Sequence, residues 1–130
     1  MQAKPGLAKY VVEQLAFLGR ISSRPIFGGV GVFIEERLLG VIIDGRVYLH
    51  TGPGNLQDYL ARGMSQFKPY PNAFDLTTDH HQVPEDVLED PERLREWGAR
   101  ALTAAIDAAR DKKLAGIARS RRMKQAKKKQ

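Results

Sequence analysis

The chain has 130 residues, 42% of them hydrophobic and 28% charged, with 21 Lys+Arg against 15 Asp+Glu and a mean hydropathy of −0.40. That is the composition of one soluble globular domain of ordinary size. The absence of cysteine removes disulfides, thiolate nucleophiles, Cys-ligated zinc and iron–sulfur clusters from the candidate chemistries. Glu13 and Gln14 interrupt the apolar residues of the start, so no secretory signal is read there. No stretch approaches the ~20 apolar residues that would span a bilayer. A cytoplasmic protein with no membrane partner is the expectation.

Leu7, Val11, Leu15 and Leu18 recur at three- and four-residue steps and predict a first amphipathic helix, with Gly19 placed to end it. The period then changes to two. Val30, Val32 and Ile34 alternate with Gly31 and Phe33, and Glu35-Glu36 separates them from the apolar run Leu38 to Ile43. Two glutamates are poor turn residues. Asp44-Gly45 is a better signal, because both tolerate the positive φ of a type I′ turn. Val47 and Leu49 follow, alternating with Arg46, Tyr48 and His50. The reading is a meander of three or four antiparallel strands.

After Thr51-Gly52-Pro53-Gly54, Asn55 is placed to cap a short helix through Leu56, Tyr59 and Leu60, with Asp58 near its N-terminal dipole and Gly63 beyond it. Phe67 to Tyr70 reads as extended, but Pro69 and Pro71 confine it to an edge or an irregular connection. Phe74, Leu76 and Thr78 alternate with Asp75, Thr77 and Asp79 as one further strand. A brief helical turn is expected over Pro84 to Leu88. Asp90-Pro91-Glu92 is a strong helix start, with an N-cap, proline at the first helical position and an acid in the first turn. The helix that follows carries a stripe of small residues, Ala101, Ala105 and Ala108, with Leu94 and Trp97 as its large contacts. The fold class expected is α+β: a two-layer domain with an antiparallel sheet of about five strands, the N- and C-terminal helices packed on one face.

The net charge of +6 divides unevenly. From Arg110 to Gln130 there are ten basic residues and one acid, so that segment is +9 and the body before it is −3. The calculated pI of 9.8 therefore describes an arm, not a basic face. Domain bounds of 1–112 for the body and 113–130 for a basic tail without regular structure follow from this division. The tail's Arg119, Arg121, Arg122, Lys124, Lys127, Lys128 and Lys129 are the candidate nucleic-acid contacts. Cations of this kind neutralise phosphates with strong salt dependence and little sequence preference. No aromatic residue follows Trp97, so stacking on bases is not expected of the tail. A solubilising tail is the competing reading.

Other constellations are weaker. Phe27-Gly28-Gly29-Val30-Gly31 lacks phosphate-loop spacing and precedes a strand, not a helix, which favours structural glycine. Asp79-His80-His81 is metal-like, with His50 the only other histidine. His80 and His81 would point to opposite faces of a strand, so solvated residues at a strand end are the expectation. The set to test for a metal is Asp79, His81 and His50. Ser22, Ser23 and Ser65 lie in no nucleophile elbow, and the acidic run Glu85, Asp86, Glu89, Asp90 and Glu92 suits helix starts. No catalytic residue, cofactor or metal is assigned.

Four pieces in order resemble the N-terminal domain of the TfoX/Sxy competence-regulator family. They are Tyr10-Val11-Val12-Glu13-Gln14-Leu15 leading to Leu18-Gly19; Phe27-Gly28-Gly29-Val30-Gly31; Arg46-Val47-Tyr48-Leu49; and Val83-Pro84-Glu85-Asp86-Val87-Leu88-Glu89-Asp90-Pro91-Glu92 continuing through Leu94, Glu96-Trp97 and Ala101-Leu102. The resemblance spans about residues 7–109. It implies a bacterial two-layer α+β domain linked to transcriptional control of DNA uptake. Full-length members are similar to co-activators that work with the cAMP receptor protein and carry a second, helical C-terminal domain, for which 130 residues leave no room. Pro25-Ile26 and His80-His81 depart from the family pattern. Two functions follow as expectations. One is a non-enzymatic regulatory or adaptor module with a protein partner in transcription and an arm for DNA or RNA. The other is a small enzyme or ligand-binding domain whose site assembles across the sheet from Arg46, Tyr48 and His50. The oligomeric state is left open.

Overall fold

The computed structural model describes residues 6–69 and 78–128. Helix α1 (Leu7–Leu15) runs into a 3-10 turn (Ala16–Leu18), and four strands follow: β1 (Ile21–Ile26), β2 (Gly29–Ile34), β3 (Arg37–Ile43) and β4 (Arg46–His50). Helix α2 (Leu56–Leu60), strand β5 (His80–Gln82), helix α3 (Glu85–Glu89) and the long helix α4 (Pro91–Lys128) complete the chain. The strands form one antiparallel sheet in the order β1-β2-β3-β4-β5, and the helices pack on one of its faces. The expected α+β fold with a five-stranded antiparallel sheet is present.

Three two-residue turns set the register of the meander. Phe27-Gly28, Glu35-Glu36 and Asp44-Gly45 all take positive φ, at 55° and 81°, 47° and 72°, 52° and 72°. They join Ile26 to Gly29, Ile34 to Arg37 and Ile43 to Arg46 as paired neighbours. Turns of this hand match the twist of the strands they connect. Asp44-Gly45 takes the conformation its residue types favour. Glu35-Glu36 takes it against preference, because the buried pattern on both sides fixes the register. Strand β1 is a difference from the sequence reading, which began the sheet at Val30. Ser22, Ser23, Arg24 and Pro25 are all exposed, so β1 lacks the alternation by which a strand is recognised.

The face toward the helices holds the core. Val32 and Ile34 of β2, Leu39 and Ile42 of β3, and Val47 and Leu49 of β4 pack against Val11 and Leu15 of α1, Val87 of α3, and Leu94 and Ala101 of α4. The pairing shifts between Val32↔Gly40 and Phe33↔Leu38, leaving Leu39 as the extra residue of a bulge. The opposite face carries a smaller cluster of Val41, Tyr48 and Phe67, flanked by Phe27, Leu38 and Ile43.

Helix α4 starts as predicted: the Asp90 carboxylate accepts from the backbone N–H groups of Glu92 and Arg93 at 3.1 and 3.3 Å, and Pro91 is its first residue. Its end differs from expectation. The residues from Lys113, read as lacking regular structure, continue the helix through Lys128. Ala, Leu, Lys, Arg and Gln are strong helix formers, and a helix already nucleated and anchored at its N-terminal half adds each further residue cheaply. Packing nevertheless stops near Ala108, and residues 109–121 are exposed. The strand read at Phe74–Asp79 falls largely outside the described residues; β5 begins just after it, at His80.

Gly29 lies where β2 presses on β3: a β-carbon there would overlap the carbonyl oxygen of Ile42 and sit 2.8 Å from Ile43 Cβ. Backbone cannot yield as a side chain can. Gly29→Ala is therefore expected to lower stability by about 1–3 kcal/mol in urea unfolding. Gly54→Ala, where nothing lies within 4 Å and no positive φ is required, is expected to change it by about 0.5 kcal/mol or less.

Candidate functional site

Beyond the last paired residues of β4, Thr51 is buried and its backbone N–H donates to Asp79 C=O at 2.8 Å. Asn55 was expected to cap α2 with its side chain. Instead its Oδ1 accepts from Gly52 N–H at 2.8 Å and its Nδ2 donates to His50 C=O at 3.0 Å. The amide thus ties the loop 51–55 to itself and to the end of β4, fixing one side of a groove of about 740 Å³. The other side is α4. Arg100, Thr103, Ala104, Asp107, Ala108 and Asp111 line it at helical spacing, which makes a wall about 17 Å long. Leu56 and Leu60 of α2 and the residues Asp79 and His81 complete the lining.

Electrostatically the groove is acidic. Arg100 is matched by Asp58 at 2.5 Å, and Asp107 pairs with Arg110 at 2.6 Å on the exposed side of α4. Asp79 and Asp111 have no ion-pair partner among the described residues. His81 lies against Tyr59 with ring centroids 5.9 Å apart, and its Nδ1 is 2.8 Å from Thr51 Oγ1.

The histidines divide as strand geometry requires, but they are not the solvated pair expected at a strand end. His80 and His81 are both buried and face opposite sides of the sheet. The set Asp79, His81 and His50 is also corrected. Antiparallel pairing places His50 opposite His80, so those two share the face away from His81, their rings edge-on at 4.9 Å. Among the described residues no group of three His, Asp or Glu could hold a metal ion.

The remaining sequence candidates have structural work. Asp86 accepts from Arg62 at 2.7 and 2.8 Å and from Arg93 at 3.0 Å, and the Arg62 hydrogen bonds hold its carboxyl below the usual range. Glu85, Asp86 and Glu92 thus lie in the first turns of helices, and Asp90 caps the start of α4. Gly28 to Gly31 serve the β1–β2 turn and the close approach of β2 to its neighbours. Arg46, Tyr48 and His50 share a sheet face but do not converge. Arg46 is exposed, Tyr48 packs on Phe67 with the rings tilted at 48° and 4.8 Å apart, and His50 turns to His80. Sequence reasoning missed the groove because α2 and α4, distant in sequence, supply its walls. The i, i+3, i+4, i+7 row of small and acidic residues from Arg100 to Asp111 was the available signal.

Of the arm candidates, Arg119 and Arg121 are exposed on α4. Arg122, Lys124, Lys127 and Lys128 belong to its helical backbone, and Lys129 lies outside the described residues. Among the described residues no helix is long and apolar enough to cross a membrane.

Burial drives the His80 imidazole down to about 4, with the neighbouring His50 acting in the same direction. Its nitrogens lie 3.0 Å from Thr78 Oγ1 and 3.3 Å from the Leu38 carbonyl, which suits a neutral ring donating to the carbonyl and accepting from the hydroxyl. An unfolded chain protonates this group near pH 6.5, so stability is full above that value and falls as pH drops toward 4, by up to about 3 kcal/mol. His50 and His81 are lowered too and add the same sign. Urea unfolding between about pH 7 and pH 4 is expected to show a smaller loss for His80→Gln than for the parent chain; equal losses would remove His80 from the acid response.

The description TfoX N-terminal domain fits residues 13–105, from the last turn of α1 to within a turn of the point where α4 leaves the packed body. The chain is also 31% identical over 77 residues to the DNA transformation protein TfoX1 of Aliivibrio fischeri (strain ATCC 700601 / ES114). That match takes in 59% of this chain and 37% of the relative, so the chain spans well under half of that protein. With the matched region covering most of the molecule and its four sequence pieces falling on α1, the β1–β2 turn, β4 and the α3–α4 start, the chain belongs to the TfoX N-terminal domain family.

Proposed function

We propose that the protein is a non-enzymatic regulatory module connected with DNA competence, whose folded body engages a protein partner and whose basic arm contacts nucleic acid without sequence preference. The observation that carries this reading is the run of α4 past Ala108. It continues as helix to Lys128, exposed as far as Arg121, about 30 Å beyond the body, and bears most of the +9 segment. The family match stops at residue 105, so the arm lies outside the matched region. The name of the A. fischeri relative, a DNA transformation protein, supports the link to competence. A cationic helix with no aromatic residue beyond Trp97 suits phosphate contact over base readout.

Deleting residues 119–130 removes seven of the arm's cations and leaves every packed residue in place. In fluorescence anisotropy with duplex DNA and with RNA, the full chain is expected to bind with a steep salt dependence. Each phosphate contact contributes about −0.9 to the slope of log K against log salt on duplex DNA. The truncated chain is expected to bind at least about tenfold more weakly with a shallower slope. Equal affinity and slope in both chains would refute the arm's role.

A further inference from the structure

The outer part of α4 carries cationic positions on every side. Each residue of a helix is turned about 100° from the last. On that spacing Arg119, Arg121, Arg122, Lys124, Lys127 and Lys128 leave no gap wider than about 100° round the axis. The exposed Leu114 and Ile117 begin an apolar stripe, but the positions that would continue it are Arg121 and Lys124. A membrane surface or an apolar groove takes a helix with one continuous apolar face. This helix has none.

We propose that this helix enters the major groove of B-form duplex DNA, with phosphates on both its flanks, and that it selects the form of the duplex, not its sequence. The proposal rests on the nucleic-acid reading of the arm and narrows it to one partner. An α-helix with its side chains is about 10–12 Å across, and the B-form major groove is about 12 Å wide and about 8.5 Å deep. The major groove of duplex RNA is deep and too narrow for side chains to read. Residues 119–128, helical throughout, make a rod about 15 Å long, enough to lie in the groove and meet the phosphates of both strands. Charge on all sides of the axis is what two phosphate walls require. The body does not compete for the DNA. It is −3 before Arg110, and Asp79 and Asp111 have no ion-pair partner among the described residues. Arg119 lies about 12 Å along the axis from Asp111, more than the Debye length of about 10 Å at 0.1 M salt. The acids at the root of the arm therefore repel phosphate from the body without cancelling the cations further out.

Fluorescence anisotropy with one duplex sequence made as DNA and as RNA, at about 0.1 M salt, tests this. The full chain is expected to bind the DNA at least about tenfold more tightly than the RNA. Ala118→Pro keeps every cation but breaks the helix at an exposed position. The roughly ten helical residues beyond it are too few to hold a helix alone. This variant should keep salt-dependent binding and lose the preference, with the two duplexes bound within about threefold of each other. Its urea unfolding should match that of the parent chain, since residue 118 lies past the packed part of α4. Dimethyl sulfate marks the groove: guanine N7, in the major groove, should be protected, and adenine N3, in the minor groove, should not. Equal affinity of the full chain for both duplexes, or protection of adenine N3 alone, overturns the proposal and leaves the arm's phosphate contact standing. A DNA preference that survives Ala118→Pro overturns the rigid helix as its cause. A full chain that binds neither duplex overturns the nucleic-acid reading along with it.

Discussion

The line that α4 takes across the sheet depends on how closely it can lie against α1, and that depends on one missing side chain. A β-carbon at Gly98 would overlap Leu15 Cδ2; Leu15, fully buried, fills the space instead. Ala101 and Ala105 continue the same seam. Small residues here let a helix of 38 residues pack on α1, α3, β3 and β4 at once. Trp97, edge-on to Tyr59 at 4.8 Å, closes the gap to α2. Without that close seat α4 would ride higher, and the apolar face of β2, β3 and β4 would keep contact with water.

The placement of α4 also decides what the surface offers. Its N-terminal half is core, its middle forms the wall of the acidic groove, and its remainder leaves the body as a cationic rod. These are three successive stretches of one rigid element. A change that shifts α4 along its axis at Gly98 would therefore move the groove and the arm together. A helix exposed all round is held in place by what anchors its first half and by whatever covers the rest.

Much of this was legible in the sequence, and the reasons differ by element. Asp44-Gly45 and Asp90-Pro91 were readable because their local chemistry and the tertiary structure agree: one residue pair tolerates positive φ, the other caps and opens a helix. Glu35-Glu36 was not, since two unfavourable residues adopt the turn only under the constraint of the strands they join. Strand β1 escaped notice because its four central residues are exposed, and β5 because its burial comes from β4 and from the segment around Gln66. The +9 arm was visible as charge but read as lacking structure, and its residues as far as Lys128 are helical. The groove could not be read at all as a unit. Its loop is shaped by the Asn55 amide and its walls meet only in the folded state.

The order of the strands, which simply follows the chain, leaves β1 and β5 as the two borders of the sheet. Neither invites a stranger's strand. Pro25 has no N–H to offer within β1, and β5 is three residues long with Gln66 already bridged to His81. A ladder begun on either border would break after a few residues. The protein is thus protected against the edge-to-edge strand pairing that open meanders risk when concentrated.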